Sequence, residues 1–358
     1  MKPRAHSYLS EIETYVPGKS KAGDKKVIKL SSNENALRSS PKAIEAYKNH
    51  ASEVFRYADG SCSNLREALA KKNNIDANRI VCGAGSDEII SFLTAAFAGE
   101  GDEVIYSEHG FLMYPISTKS VGATPVKVKE KNLKADFAAI IKAITPKTKI
   151  IFIANPNNPT GSYLNKDELG ELIAKTPKNI LIALDHAYEE FVEEKDYPNG
   201  IELVNKNENV VMLRTFSKIY GLASLRIGWC YSSSEIAEIL NKVRGPFNVG
   251  GPAQFAAIAA LEDEEFLQKS RAHNSKWLKE ISARLKGNKK ITAHPSAGNF
   301  ILLDFHSREN CDKANAALLE QGIIIRDMKA YGLENCLRAT IGTQEENLQL
   351  LNVLENGF

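Results

Sequence analysis

Residues 149–185 read KIIFIANPNNPTGSYLNKDELGELIAKTPKNILIALD. Two apolar, β-branched runs, residues 149–154 and 179–185, enclose an Asn- and Pro-rich turn and a stretch with helical spacing. That stretch opens with Asn165 and Glu168, the separation of a capping box. A connection of this length and kind is a helical crossover, so the spacing predicts two parallel strands rather than a hairpin. The pattern repeats outward: further strands are expected at 79–83, 103–107, 125–128, 210–215 and 226–231, with helices at 86–98 and 136–143. The fold class is therefore α/β, a large domain with a mostly parallel sheet of about seven strands flanked by helices.

After Pro252 the pattern changes. A helical stretch at 262–285 precedes two apolar runs, ITAH and NFILLDF, on either side of the turn-forming Pro295-Ser296-Ala297-Gly298. A helix at 311–321, short strands in IIIRDM and CLRATIG and a terminal helix from Glu345 complete a smaller α+β domain. The division expected is an arm at 1–29, a large domain at 30–250 and a small domain at 251–358. The arm has too few apolar residues for a core of its own, so it should pack on the small domain or on a partner subunit.

Composition narrows the function. Among 358 residues, 46 Lys and Arg stand against 44 Asp and Glu, a formal charge of +2. Nucleic-acid and anionic-membrane surfaces carry a basic excess, so neither partner is expected. Hydrophobic residues at 43% and charged residues at 25% are ordinary for a folded soluble chain. The five cysteines are scattered and never spaced C-x-x-C, which disfavours a disulfide framework or a zinc site and favours a reducing cytoplasm. No metal is expected, and the N-terminus lacks the apolar stretch of a secretory signal.

The residues suited to chemistry sit where strands end. In LRTFSKIYGLASLRIGW, Ser217-Lys218 follows one strand and Arg226 opens the next. A lysine so placed can form a Schiff base with an aldehyde cofactor and later serve as a general base. Asn158, in the turn NPNNPTG, could donate to a cofactor phenolate oxygen. Asp185 emerges from an apolar strand, where a carboxylate needs a positive partner such as a protonated pyridine nitrogen; a helix N-cap is the plainer role for a lone Asp there. Gly85, Ser86 and Asp87, in VCGAGSDEII, put free amides at a helix N-terminus, suited to phosphate, with Ser217 and Arg226 closing the cage.

Taken together these elements resemble the pyridoxal-phosphate-dependent aminotransferases of the aspartate aminotransferase fold. The resemblance runs from about Leu30 to Thr343 and rests on GxGSDE, NPNNPTG, DxAYxEF and the Ser-Lys pair followed eight residues later by Arg. Within that superfamily the chain is most similar to the histidinol-phosphate aminotransferases, through YVPGK, LSSNEN, FRYADG, the Ser217–Trp229 block, IIIRDMKAYGLENCLRATIGT and the terminal EEN. The resemblance implies pyridoxal 5'-phosphate bound through Lys218, paired with Asp185 at its ring nitrogen and with Asn158 and Tyr188 at its phenolate oxygen. It also implies Phe111 stacked on the ring, Thr215 near the cofactor and Tyr57 reaching the phosphate of a neighbouring subunit in a homodimer. Arg338 matches the arginine that takes a substrate carboxylate; Arg326 and Tyr15 match positions near the phosphate of histidinol phosphate, and Asn35 lies on the substrate-side loop.

Two departures accompany the resemblance. His186 stands where the family usually has Glu, with the flanking Asp185 and Tyr188 intact, and Asn35-Ala36-Leu37 replaces the usual N-P-x. The implied reaction is a ping-pong transfer of the amino group from L-histidinol phosphate to 2-oxoglutarate, giving imidazole acetol phosphate and glutamate. Alternatives are an aromatic or dual-specificity aminotransferase, a pyridoxal-phosphate decarboxylase such as threonine-phosphate decarboxylase, and a DNA-binding regulator. The last needs a binding module before Leu30 for which the sequence has no helix-turn-helix pattern.

Overall fold

The computed structural model describes residues 3–16 and 27–356. Its strands, in chain order, are β1 (Ile28–Leu30), β2 (Ile80–Gly83), β3 (Glu103–Ser107), β4 (Thr124–Val128), β5 (Thr148–Ala154), β6 (Leu181–Asp185), β7 (Val210–Thr215), β8 (Gly228–Tyr231), β9 (Thr292–His294), β10 (Phe300–Asp304), β11 (Ile323–Asp327) and β12 (Cys336–Thr340). They form a seven-stranded sheet of order β2-β8-β7-β6-β5-β3-β4 and a five-stranded sheet of order β1-β11-β12-β10-β9.

The larger sheet is the mostly parallel one expected. Only β8 runs against its neighbours, β2 and β7. Its strands read as continuous apolar runs because both faces are buried. Ile151, Ile153, Ile182, Leu184 and Met212 pack into one layer, and Ile150, Phe152, Leu181, Ala183 and Leu213 into the other. A third core, with Trp277, Ile281, Leu318 and Leu350 over Ile301, Leu303 and Leu337, covers the smaller sheet.

Polar side chains find no place on those faces, so they gather where strands end. Chain order reverses at β3, which leads outward to β4 while β5 returns on its other side, and such a reversal opens a crevice at the carboxyl ends. Antiparallel β8 begins at that same edge, which brings Arg226, just before it, beside the exits of β2 and β7.

The segment at 262–285 differs from the expectation. A helix already runs over Gly251–Leu261, and a second, Glu264–Leu285, starts after Asp263. The Asp263 carboxylate accepts the Phe266 amide and the Ser40 hydroxyl, so it caps the second helix and breaks the first. The helix Met113–Ser120 was not anticipated; its Ser, Thr and Ile content carries a weak helical pattern. Residues 28–30 belong to the smaller sheet, where β1 pairs in parallel with β11. Farther up the chain, Lys119 Nζ bonds the Glu11 carbonyl at 2.9 Å and Arg326 Nη2 the Val16 carbonyl at 2.7 Å.

The capping box forms as read. Asn165 accepts the Asp167 and Glu168 amides, both at 3.0 Å, and Glu168 accepts the Asn165 amide at 2.8 Å. Asn165→Ala is expected to cost about 1 kcal/mol, seen as a lower urea midpoint with an unchanged m-value.

Candidate active site

A cavity of about 290 Å³ opens at the carboxyl edge of the larger sheet. Tyr15, Ser86, Asp87, Phe111, Asn158, Asp185, Tyr188, Thr215, Ser217, Lys218 and Arg226 all line it, so most residues singled out from the sequence meet in one place. Tyr114, Met113, Pro156 and Ala187, not singled out, line it too.

Asp185 ends β6 and is only 6% exposed. Its Oδ2 accepts the Tyr114 hydroxyl at 2.8 Å and its Oδ1 the Ala187 amide at 3.2 Å. Among the described residues it makes no ion pair. Burial pushes its carboxyl above the usual carboxylate range, and those two donors pull it partly back. The site therefore holds a buried acid that, among the described residues, has no cation in direct contact, with Lys218 acting on it only through its charge.

Hydrogen-bond direction around the cavity is informative. The Tyr188 hydroxyl accepts from Asn33 Nδ2 at 2.9 Å, which leaves its own proton free to donate. Asn158 Oδ1 accepts from Arg338 Nη1, which turns its amide nitrogen outward from that bond. The Ser217 hydroxyl accepts from Thr215 Oγ1 at 3.0 Å and from Arg226 Nη1 at 3.2 Å, so its proton is free as well. Each group already has its acceptor filled and keeps a donor for a ligand with oxygen atoms.

An anion cradle forms one end. The helix Ser86–Phe97 points its N-terminus at the cavity beside Ser217 and Arg226. Gly85 has φ +92°, and a Cβ there would lie 2.1 Å from Arg226 Nη2. A Cβ on Gly228 would lie 2.6 Å from the Ser86 amide nitrogen. Only glycine permits both approaches. Arg226 is held by Asp87 at 2.6 Å.

Lys218 Nζ sits 3.3 Å from the Ser32 carbonyl and 5.6 Å from the centre of the Tyr188 ring. Burial, with the charges of Arg338 and Arg226, brings its ammonium down to about 8. Arg338 is buried, bonds the Ser31 carbonyl at 3.0 Å and lies over the Phe300 ring at 5.4 Å.

The remaining candidates sit elsewhere. Arg326 lines an adjoining cavity of about 690 Å³ that shares Tyr15 with the first. Asn35 is committed to the Ile219 carbonyl at 2.6 Å and Ser270 at 3.1 Å, so its amide braces the backbone just after Lys218. Tyr57 is 85% exposed, stacked on Phe247 with ring centres 4.6 Å apart, and lies outside the cavity. His186 is wholly buried and faces away from it, with Nδ1 2.9 Å from Glu189 Oε2. Arg214 reaches the same oxygen at 2.9 Å and Glu190 at 2.7 Å. Glu189 is held at about 2 by Arg214 and His186 against the upward pull of burial. An acid four residues past Asp185 thus holds Arg214 of β7.

Asn33, Thr340 and Tyr114 escaped the sequence reading. Asn33 lies within LSSNEN and Tyr114 within EHGFLMY, but nothing local marks either as a partner of Tyr188 or Asp185. No group of three or more His, Cys, Asp or Glu side chains suited to a metal occurs among the described residues.

Known proteins resemble this chain in sequence and fold. Residues 25–354 match the family model "Aminotransferase class I and II". The chain is 48% identical over 356 residues, 99% of its length and 98% of the relative's, to a histidinol-phosphate aminotransferase of Paramagnetospirillum magneticum. A crystal structure of histidinol-phosphate aminotransferase from Sinorhizobium meliloti, in complex with pyridoxal-5'-phosphate, superposes with a TM-score of 0.91 at 25% identity, covering 99% of this chain and 97% of that one. An aspartate aminotransferase mutant from Thermus thermophilus shares the fold, with a TM-score of 0.84 at 21% identity over 99% of this chain and 100% of that one.

Replacing Tyr114 by Phe removes one of the two donors to Asp185. Because that donor favours the ionised acid, its loss raises the folded-state pKa. The expected cost, about 1–2 kcal/mol, is present while Asp185 is charged and fades as pH falls and it protonates. Urea titrations of ligand-free protein at neutral and acidic pH check this.

Proposed function

The chain belongs to the class I and II aminotransferases, and from that premise we propose that it transfers the amino group of L-histidinol phosphate to 2-oxoglutarate in histidine biosynthesis, with pyridoxal 5'-phosphate as cofactor. The products are imidazole acetol phosphate and glutamate. The observation that carries this reading is the 48% identity, over nearly the full length of both chains, to a histidinol-phosphate aminotransferase.

The two arginines support the substrate. Arg326 on β11 and Arg338 on β12 are register partners in an antiparallel pair. Like charges directly opposite each other are unfavourable, and bound anions relieve the repulsion. Glutamate and 2-oxoglutarate bring two carboxylates, and histidinol phosphate a phosphate. Arg338, braced by Asn158 and the Ser31 carbonyl, offers a planar fork for a carboxylate, while Arg326 in the adjoining cavity meets the phosphate or the distal carboxylate, with Tyr15 between them.

The cofactor fits on three counts: a buried carboxylate without a cation, a glycine-lined cradle at a helix N-terminus, and donors with free protons. Asp185 would pair with the ring nitrogen, Ser86, Ser217 and Arg226 would hold the phosphate, Asn158 and Tyr188 the phenolate oxygen, and Phe111 a ring face. When bound, the cofactor supplies an aldehyde and a ring that accepts the electron pair left on the substrate carbon. Lys218 supplies the amine that joins that aldehyde, and once freed it carries a proton from and to the substrate carbon. With its pKa near 8, about a tenth is neutral at pH 7, enough for a general base. Thr215 orients the Ser217 hydroxyl, and Tyr114 keeps Asp185 aligned.

A homodimer with shared active sites is part of the proposal. Tyr57, Phe55 and Val54 are largely exposed beside the half-exposed Phe247, an apolar run suited to a second copy. In that dimer Tyr57 reaches the partner's cofactor phosphate. The five cysteines are free and buried, in keeping with a cytoplasmic location. No described helix is long and apolar enough to cross a membrane.

Lys218→Ala is expected to abolish transamination while circular dichroism and the thermal midpoint stay close to those of the parent; near-normal turnover would overturn the assignment. The apoprotein should capture pyridoxal phosphate faster as pH rises through about 8, since only a neutral amine attacks an aldehyde. Arg326→Ala should raise KM for histidinol phosphate by about 10–100-fold, the loss of one charged hydrogen bond, with a smaller effect on phenylalanine. A half-reaction in which phenylalanine matches histidinol phosphate would instead favour an aromatic aminotransferase.

A further inference from the structure

Glu130 follows β4 and does not line the cavity, yet one of its oxygens ties together two segments that do. Oε1 accepts from Ser107 Oγ at 2.6 Å, the His109 amide at 3.3 Å and Asn157 Nδ2 at 3.2 Å. Ser107 and His109 lead into the loop that carries Phe111. Asn157 immediately precedes Asn158. His109 extends the network, since its Nδ1 lies 2.7 Å from the Tyr331 carbonyl in the connection from β11 to β12. A carbonyl only accepts, so the imidazole proton there is on Nδ1.

The second oxygen, Oε2, is buried without a partner, and so is Oδ1 of Asn157. These orphaned acceptors belong to the two groups joined by the Asn157–Glu130 bond. Two acceptors cannot satisfy each other, but one added proton satisfies both. A neutral carboxyl facing a primary amide makes a two-bond ring, amide N–H to one acid oxygen and acid O–H to the amide oxygen. We propose that Glu130 is a positioning residue held as the neutral acid, its Oε2 proton donated to Asn157 Oδ1, and that this ring sets the turn from which Asn158 reaches Arg338 and the cavity.

The surroundings agree. Burial is the largest influence on this carboxyl and raises its pKa, Glu108 adds to the rise, and Ser107 and His109 oppose it. Glu108 and His109, from the segment after β3, are the titratable groups facing it; Glu108 Oε2 accepts the Glu130 amide at 3.3 Å. The turn at 155–161 contains no charged residue, and on Glu130's own segment the neighbours in sequence are Lys129 and Lys131. A displaced turn would move both polar ends of Asn158, so Glu130 acts on binding through Asn157 rather than by touching a ligand.

Glu130→Gln tests the protonation state, because glutamine presents one acceptor and one donor in place of the neutral acid. Glu130→Ala removes the ring altogether. With the cofactor-loaded enzyme, E130Q is expected to stay within about twofold of the parent in kcat/KM, while E130A loses about tenfold, mostly in KM. The kinetic comparison rests on the proposed transamination; the stability comparison does not. A buried acid with a raised pKa contributes stability that is full below its unfolded pKa and lost as pH rises toward its folded pKa. The unfolding midpoint of E130Q should therefore gain on that of the parent as pH rises across that window. A pH-independent gap, or E130Q as impaired as E130A, overturns the proposal by showing that a carboxylate is required. If E130A does not fold, the pH dependence of the parent–E130Q gap decides alone. Absence of transamination by the parent would refute the activity and leave that stability result standing.

Discussion

The buried carboxylate of Asp185 is the constraint on which the site depends. It ends a strand whose two faces are both covered by apolar layers, and among the described residues it receives two hydrogen bonds but makes no ion pair. A charge in that position is costly unless a positive group meets it. The cavity lined by Asp185 is the space open to such a group, and Tyr188 and Ser217 around it keep free protons to donate. Tyr114 both donates to Asp185 and stacks at 4.7 Å on Phe152 of the core, so the acid's orientation is tied to the packing of the sheet.

Lys218 and Arg226 bring positive charge to the same cavity. Burial lowers the Lys218 ammonium most, and the charges of Arg338 and Arg226 lower it further. The arginine of β7 is treated in the opposite way: Arg214 lies over the Trp229 ring at 5.7 Å and is neutralised by Glu189 and Glu190. Arg214 is paired with two carboxylates and Arg226 with one, Asp87, whereas among the described residues Arg338 bonds only the neutral acceptors Asn158 Oδ1 and the Ser31 carbonyl. His186, where Glu is more usual, lies outside the cavity lining and bonds Glu189, one of the two acids that pair with Arg214.

The hydrogen-bond network behind the cavity settles which end of each group faces inward. Asn33 occupies the lone pair of Tyr188, and Thr340 in turn holds Asn33 through its amide and side chain. Those partners come from opposite ends of the chain. The donor character of the cavity is thus a property of both sheets together.

Much of this was legible in the sequence. The strand at 149–154, the helix opened by Asn165, the strand ending in Asp185 and the Ser217-Lys218 exit all depend on nearest neighbours, on side-chain period and on caps, which the chain carries locally. The breaks at Asp263 and the helix at 113–120 were harder, because a cap inside a helical pattern and a Ser/Thr-rich helix are decided by what packs on them. The structure alone assigned Tyr114 to Asp185, Asn33 to Tyr188, Asn35 to the backbone after Lys218, and Glu130 to the Asn157 turn. It also placed β1 beside β11 and Arg326 opposite Arg338. Each of these joins residues far apart in the chain, and their meeting is set by strand order and register, which local propensity does not encode.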